Sequence, residues 1–314
     1  MAKIQSEFLN MQADFTFKRV FGSEMNKHIL IRFLNALFDG KLFIKDVTFH
    51  DKEKLPSSPK GKRIVYDVYC TAPSSKMDSA FFPAIQKKGD NKNDSRDHHF
   101  ILEMQNIYTP PFEERIVFYA CKMISEQGKS GWDYELDPVF AIAITDFNFS
   151  HLSPKLIRDV MLIDRETKEP LTDKVHILLC SLKELPEKWE DCKTELEEML
   201  FLIKNMDKMD TMSLAYIEGK YAEVFEAARS TNLKDTETIA YSQSLDKLNE
   251  TIAGFRYAKE EGIKLGKAEG RAEGKAEGRA EGRAEGRAET LQEKAQQAKE
   301  MGLSDDIIKR LFGM

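Results

Sequence analysis

A glycine at every fourth position from Gly262 to Glu289 is the feature that most constrains this chain. From Lys267 to Glu289 the repeat reads (Lys/Arg)-Ala-Glu-Gly, with six basic and six acidic residues and no apolar side chain larger than alanine. Such a segment cannot fill a hydrophobic core by itself. Its balanced charge argues against a polybasic DNA-binding arm.

The repeat suits a long helix, but a marginal one by itself. Four helical residues turn through about 400°, so the glycines wind around the helix and do not keep to one face. Each glycine costs about 1 kcal/mol relative to alanine, and like charges recur at i,i+4. We therefore predict either a solvated linker or a helical arm that packs on a second copy of the chain.

The sequence divides into four segments that differ in composition and in the periodicity of their apolar residues. Residues 1–182 mix helical and strand patterns, which predicts an α/β core with a mixed sheet flanked by helices. Residues 183–258 carry apolar residues at helical spacing, which either cover the core or form a dimer surface. Residues 259–290 are the charged repeat. Residues 291–314 predict a short helical tip, with Ser304 as the cap of its last helix.

Periodicity predicts the elements of the core. The first helix begins near Asp14, which can cap it, and places Phe17 and Phe21 on one face. A second helix follows, with Gly40 as its stop. The strands are predicted over Phe43–Phe49, Ile64–Cys70, Phe100–Gln105, Val139–Ile144 and Val175–Cys180, with a helix over Pro111–Glu126.

A polar segment of 29 residues, Thr71–His99, separates two strands that should pair. Its many turn-forming residues predict a long, exposed hairpin insertion. Its basic residues either contact phosphates or belong to a solvated loop; they are Lys87, Lys88, Lys92 and Arg96.

Composition narrows the class of protein. The net charge is -6 and the sequence pI is near 5.7, which argues against a dedicated DNA-coating protein but not against an enzyme with local DNA contacts. The N-terminus lacks the apolar region of a signal peptide, and no apolar run reaches about 18 residues. We expect a cytoplasmic protein with no membrane segment.

Single acidic residues interrupt two predicted strands. In Ile64–Cys70, alternation puts Ile64, Tyr66, Val68 and Cys70 on one face and Asp67 on the other. In Phe100–Gln105, alternation puts Glu103 and Gln105 side by side. A neighbouring strand can then bring Asp67 to them.

Two converging carboxylates repel each other and are costly to desolvate unless a cation lies between them. Mg²⁺ prefers hard oxygen ligands and keeps waters for a substrate and a nucleophile. Asp67, Glu103 and the backbone carbonyl of Met104 are the predicted protein ligands. The alternative is that both acids are ordinary outward-facing residues of a half-exposed sheet.

Several strings of the sequence carry a resemblance to a known family. They are DFTFK at Asp14–Lys18 with Phe21-Gly22, GKRIVYDVYC at Gly61–Cys70, ILEMQ at Ile101–Gln105, and the helix with Arg115 and Tyr119. Together, over residues 10–260, they resemble the PD-(D/E)XK nuclease family transposases, which are recombination-promoting nucleases of the Rpn type. The AEGR-type tail is also habitual in that group.

The resemblance implies a restriction-endonuclease-like fold and a set of site residues. Asp67 matches the metal-binding acid of the "PD" element, and Glu103 matches the acid of the "(D/E)XK" element. Gln105 stands where the motif has lysine. A glutamine positions water by hydrogen bonds but supplies no charge, so slower or conditional cleavage is expected. The long Thr71–His99 segment is a second departure, which bears on the approach of substrate.

Three further residues are candidates for the site. Asp14 is either an accessory metal ligand or a helix cap paired with Lys18 at i,i+4. Lys18 and Arg115 are candidates for contacts with DNA. The predicted function is thus a Mg²⁺- or other divalent-cation-dependent DNA endonuclease that forms homo-oligomers through its helical region or tail. The alternatives are a DNA-binding or assembly module with a degenerate nuclease fold, and a partner-controlled nuclease effector in defence.

Overall fold

The computed structural model describes residues 6–54, 64–73, 97–128, 135–209, 217 and 219–313. The lysines and the arginine of the predicted insertion therefore lie outside the described residues. The chain divides into two compact units, Met1–Ile252 and Ala253–Met314.

The described residues of the first unit form eight strands. They are β1 (Thr48–Phe49), β2 (Glu53–Lys54), β3 (Ile64–Val65), β4 (Val68–Pro73), β5 (Asp97–Gln105), β6 (Val139–Thr145), β7 (Ile157–Val160) and β8 (Val175–Ser181). Six form one mixed sheet in the order β1-β4-β5-β6-β8-β7, while β2 and β3 pair separately. β4 and β5 are antiparallel, β5, β6 and β8 are parallel, and β7 is antiparallel at the edge.

Helices cover both faces of the six-stranded sheet. They are α1 (Asp14–Phe21), α2 (Lys27–Phe38), α3 (Phe112–Ser125), α4 (Glu195–Asn205) and α5 (Ala222–Ala228). Buried residues of α1, α2, α4 and α5 join one core on one face, and α3 packs with a second core on the other. The predicted mixed α/β sheet with flanking helices is confirmed, and the apolar residues of α4 and α5 contribute to the core of the first unit.

The predicted strand over Phe43–Phe49 is wrong except for its last two residues, Thr48 and Phe49. The backbone N–H of Ile44 donates to the Asn35 side chain at 2.8 Å, and the Asn35 amide donates to the Ile44 carbonyl at 2.9 Å. Since a side chain of α2 takes both hydrogen bonds, Ile44 has no need of a neighbouring strand. β7 was not predicted, because Ile-Arg-Asp-Val carries no alternation.

Replacing Asn35 by alanine is expected to destabilise the first unit by about 2 kcal/mol, because two backbone groups of Ile44 lose their partner. Urea unfolding followed by tryptophan fluorescence measures the change, since Trp189 packs on Phe201 and Tyr221 in the first unit. Asn35→Asp is the matched variant: it keeps the acceptor, loses the donor and should fall between alanine and wild type. An unchanged unfolding midpoint for Asn35→Ala contradicts the argument.

The ends of the predicted insertion are strand. β4 continues to Pro73 and β5 begins at Asp97, so Thr71, His98 and His99 all lie in the ladder. Alternation had given no reason to extend either strand, because the polar residues Thr71, His98 and His99 stand next to the predicted strand ends.

The repeat belongs to a helix, as predicted for a long helical tail. Helix α6 spans Asp235–Glu300, and within the second unit helix α7 (Asp305–Phe312) follows the turn at Gly302. Ala298 and Ile308 are buried there. Ser304 is at the cap position as predicted, but its hydroxyl makes no capping hydrogen bond. None of the helices in the described part of the chain is long and apolar enough to cross a bilayer.

Candidate active site

A β-bulge between β3 and β4 places Asp67 beside β5. Phe49 pairs with Cys70 and Glu53 pairs with Val65, so four residues of one strand, 66–69, face three of the other, 50–52. One extra residue in a strand is a bulge, and it reverses the side-chain alternation. The prediction that Tyr66 and Val68 share a face is therefore wrong.

The inward-pointing residues before the bulge and those after it pack on opposite faces of the sheet. Ile64 and Tyr66 lie in the core with α3, whereas Val68 and Cys70 lie in the core with α1 and α2. β5 has no bulge, and its predicted alternation holds: Phe100, Leu102 and Met104 point to one core, and Ile101 points to the other.

Asp67 takes the place of a strand partner for Met104. The ladder between β4 and β5 ends at Val68 and Leu102, and the Met104 N–H donates to Asp67 Oδ2 at 2.9 Å. The Asp67 N–H in turn donates to Glu103 Oε1 at 3.2 Å. These reciprocal hydrogen bonds make the two acids direct neighbours across adjacent strands, as the sequence predicted.

The Met104 carbonyl faces the same gap. The N–H and C=O groups of one strand residue point to the same side of the strand, and the Met104 N–H points to Asp67. The Met104 carbonyl therefore points to the side of β5 on which the Asp67 carboxylate lies.

Both acids are shielded from water. Glu103 is 7% exposed, and the Asp67 side chain is 17% exposed. Burial raises the pKa of Glu103 well above its ordinary value, and the charge of Asp67 adds to the rise. Burial also raises the pKa of Asp67, although the Met104 hydrogen bond and the Lys18 charge oppose it. The site therefore holds carboxylates that are costly to ionise.

Lys18 pairs with the acids on the α1 side. Its ammonium lies 2.6 Å from Asp14 Oδ1 and 3.4 Å from Asp67 Oδ1. Burial opposes its charge, but the Asp14 hydrogen bond and the Asp67 charge raise the pKa of Lys18 overall. The predicted i,i+4 pair of Asp14 and Lys18 is present, while helix α1 is capped at Ala13 and not at Asp14.

Asp14 does not join Asp67 and Glu103 in a three-carboxylate cluster. Over the ranges that the structure describes, no group of three or more His, Cys, Asp or Glu residues is close enough to hold a metal. Asp14 is instead linked to Asp67 through Lys18.

Gln105 is held by two partners. Its amide donates to the Ile107 carbonyl at 2.8 Å, and its Oε1 accepts from the Arg115 guanidinium at 2.6 Å. Arg115 also lies over the Phe112 ring, 5.0 Å from its centroid. The neutral residue at the motif's lysine position is thus in contact with a cation from α3.

Tyrosines form the wall of the site on the α3 side, and sequence reasoning missed this role for Tyr66. The rings of Tyr66 and Tyr119 meet edge to face at 5.2 Å. Burial raises the pKa of Tyr119, and the charge of Glu103 raises it further. Tyr66 is fully buried, and its hydroxyl has no hydrogen-bond partner among the described residues. Because the sequence did not predict the bulge, it placed Tyr66 on the same face as Val68.

A family model described as PD-(D/E)XK nuclease family transposase matches residues 11–82 and 90–258, which is more than half of the chain. The matched ranges contain Asp67, Glu103, Gln105 and Arg115. No curated protein and no solved structure matches the chain. Because this family model matches more than half of the chain, and the structure has the mixed sheet with flanking helices expected for it, the chain belongs to the PD-(D/E)XK nuclease family transposases.

Proposed function

We propose that this chain is a divalent-cation-dependent DNA endonuclease that hydrolyses phosphodiester bonds and acts in DNA recombination in the cytoplasm. The observation that carries the proposal is the pair of buried carboxylates, Asp67 and Glu103, joined by a hydrogen bond from the Asp67 N–H. The family supports a nuclease.

The donor set fits Mg²⁺ or a similar hard cation. Asp67, Glu103 and the Met104 carbonyl would hold it, since all three provide oxygen and two of them provide negative charge. When bound, the cation supplies Lewis-acid polarisation of a phosphoryl oxygen and a water of lowered pKa. Lys18 offsets part of the charge of Asp67.

Gln105 orients water by hydrogen bonding, and Arg115 supplies the positive charge that glutamine lacks. The guanidinium is fixed by Gln105 and by the Phe112 ring, so a phosphate at the acid pair meets a preorganised donor. Lys18 remains a proposed DNA contact, since a cation held at Asp67 would take the place of its ammonium there. Asp14 remains a proposed accessory ligand under the same condition.

Arg115→Met is expected to lower the rate of DNA cleavage by roughly 100-fold, because one positive donor is lost near the developing charge. Arg115→Lys keeps the charge but not the planar fork, so it should retain part of the rate. Lys122→Met, two turns further along α3, is the matched control and should cleave like wild type. Equal rates for wild type and Arg115→Met count against this role.

One observation favours the weakly catalytic alternative, a DNA-binding or assembly module: the Gln105 side chain is already occupied at both ends. Nicking of supercoiled plasmid with Mg²⁺ separates the two functions. Wild type should nick, Asp67→Ala should not, and Glu166→Ala, a change in the exposed turn after β7, should nick normally. Plasmid that stays intact with every variant but is bound by wild type supports the module.

Two further proposals concern partners. A nuclease effector controlled by a partner would be toxic on expression, and Asp67→Ala would abolish the toxicity. Homo-oligomer formation through the helical region or the tail is checked by the mass of the full chain in solution, compared with a chain ending at residue 258.

A further inference from the structure

Lys52 lies near enough to Asp67 for the carboxylate charge to attract its ammonium, although no motif includes it. It stands opposite the bulge, where its carbonyl accepts a hydrogen bond from the Tyr66 N–H at 2.9 Å. Its side chain is half-buried and reaches the end of α1. A Cβ built on Gly22 would lie 2.8 Å from Lys52 Nζ and 3.2 Å from Val68 Cγ2. The ammonium is thus next to the residue that follows Asp67.

Gly22 leaves the room that this ammonium occupies. The φ angle of Gly22 is -114°, which any residue adopts, so glycine is not needed for the backbone conformation. A side chain there would collide with the Lys18 carbonyl, at 2.9 Å, and with Lys52. The fold therefore keeps space for both groups at the end of α1.

The charge of Lys52 is poorly compensated. Asp14 and Asp67 are both engaged by Lys18, and no carboxylate of the described residues forms an ion pair with Lys52. Burial lowers the pKa of Lys52, and the charge of Lys18 lowers it further, against the attraction of Asp67 and Asp14. A half-buried ammonium without a partner is costly, and a bound anion would offset that cost.

The lysine position of the family motif holds no charge in this chain, because it is Gln105. We propose that Lys52, in the segment between β1 and β2, binds a DNA phosphate at the acid pair and supplies positive charge in addition to that of Arg115. The inference rests on the proposed function. Lys52 and Arg115 then approach the phosphate from opposite faces of the sheet, with the acids between them.

The test is binding of a fluorescein-labelled DNA duplex by the full chain, with Ca²⁺ present and salt varied between about 50 and 200 mM. Lys52→Met should weaken binding by roughly 10-fold and reduce the slope of log affinity against log salt by about 1. Lys52→Arg should keep the wild-type slope. Lys45→Met, which removes an exposed lysine, should change neither quantity.

Thermal unfolding shows whether the variants fold: Lys52→Met should unfold no earlier than wild type, because a neutral side chain is cheaper to bury. A Lys52→Met protein with wild-type affinity and slope overturns the inference, and so does a Lys52→Arg protein that binds as weakly as Lys52→Met. Plasmid nicking tests the proposed function separately. Wild type that binds but does not nick defeats the nuclease proposal while leaving the Lys52 result interpretable, and wild type that binds no DNA defeats both.

Discussion

Glu103→Gln is expected to lower plasmid cleavage by about 1000-fold while raising the unfolding temperature of the metal-free protein. Glutamine keeps the size of the side chain and an oxygen that can accept from the Asp67 N–H. It removes a carboxylate that is 7% exposed and next to another acid. Activity and stability should therefore change in opposite directions, as expected for a residue kept for chemistry.

The pH dependence of the free energy of unfolding should also distinguish Glu103→Gln from the wild-type protein. Because burial and Asp67 raise the pKa of Glu103, the folded protein binds protons more tightly than the unfolded chain. Protonated Glu103 therefore contributes stability to the folded protein. This contribution is fully present below about pH 4, where the carboxyl is also protonated in the unfolded chain, and it is lost as the pH rises through the raised pKa of the folded protein. In Glu103→Gln, the loss of stability with rising pH should be smaller than in the wild-type protein. A variant that cleaves like wild type, or one that is less stable across this range, counts against the proposed site.

Addition of Mg²⁺ or Mn²⁺ is expected to stabilise the wild-type protein, by about 2.7 kcal/mol when the ion is at 100 times its dissociation constant. Carboxylates must lose their protons to bind a cation, so the raised pKa of Asp67 and of Glu103 makes binding weaker in acid. The rise in unfolding temperature should thus be larger near pH 8 than near pH 5.

Two variants control for ions that bind elsewhere. Asp67→Asn keeps an acceptor for the Met104 N–H but loses the charge, so the stabilisation by cation should disappear. Asp159→Asn, at the opposite edge of the sheet, should respond like wild type. An equal rise in unfolding temperature for wild type and Asp67→Asn would mean that the ion binds at another place.

Much of the site could be predicted because its strongest pattern is local. Alternation in β5 correctly separated Phe100, Leu102 and Met104 from Ile101 and Glu103. The same alternation failed in the Asp67 strand, because a bulge depends on how many residues the partner strand contributes. Those partner residues, 50–52, lie beyond a predicted strand whose first part is in fact coil.

The sequence by itself determined the α/β class, the helical tail and the shared side of Glu103 and Gln105 on β5, since these follow from periodicities of two and about 3.6 residues along the chain. Only the tertiary structure decided that Asp14 is linked to Asp67 through Lys18, that Arg115 holds Gln105, and that Lys52 lies at the end of α1. Contacts of these kinds join side chains from separate elements. Their distances depend on how helices pack on the sheet, which no repeat in a single segment encodes.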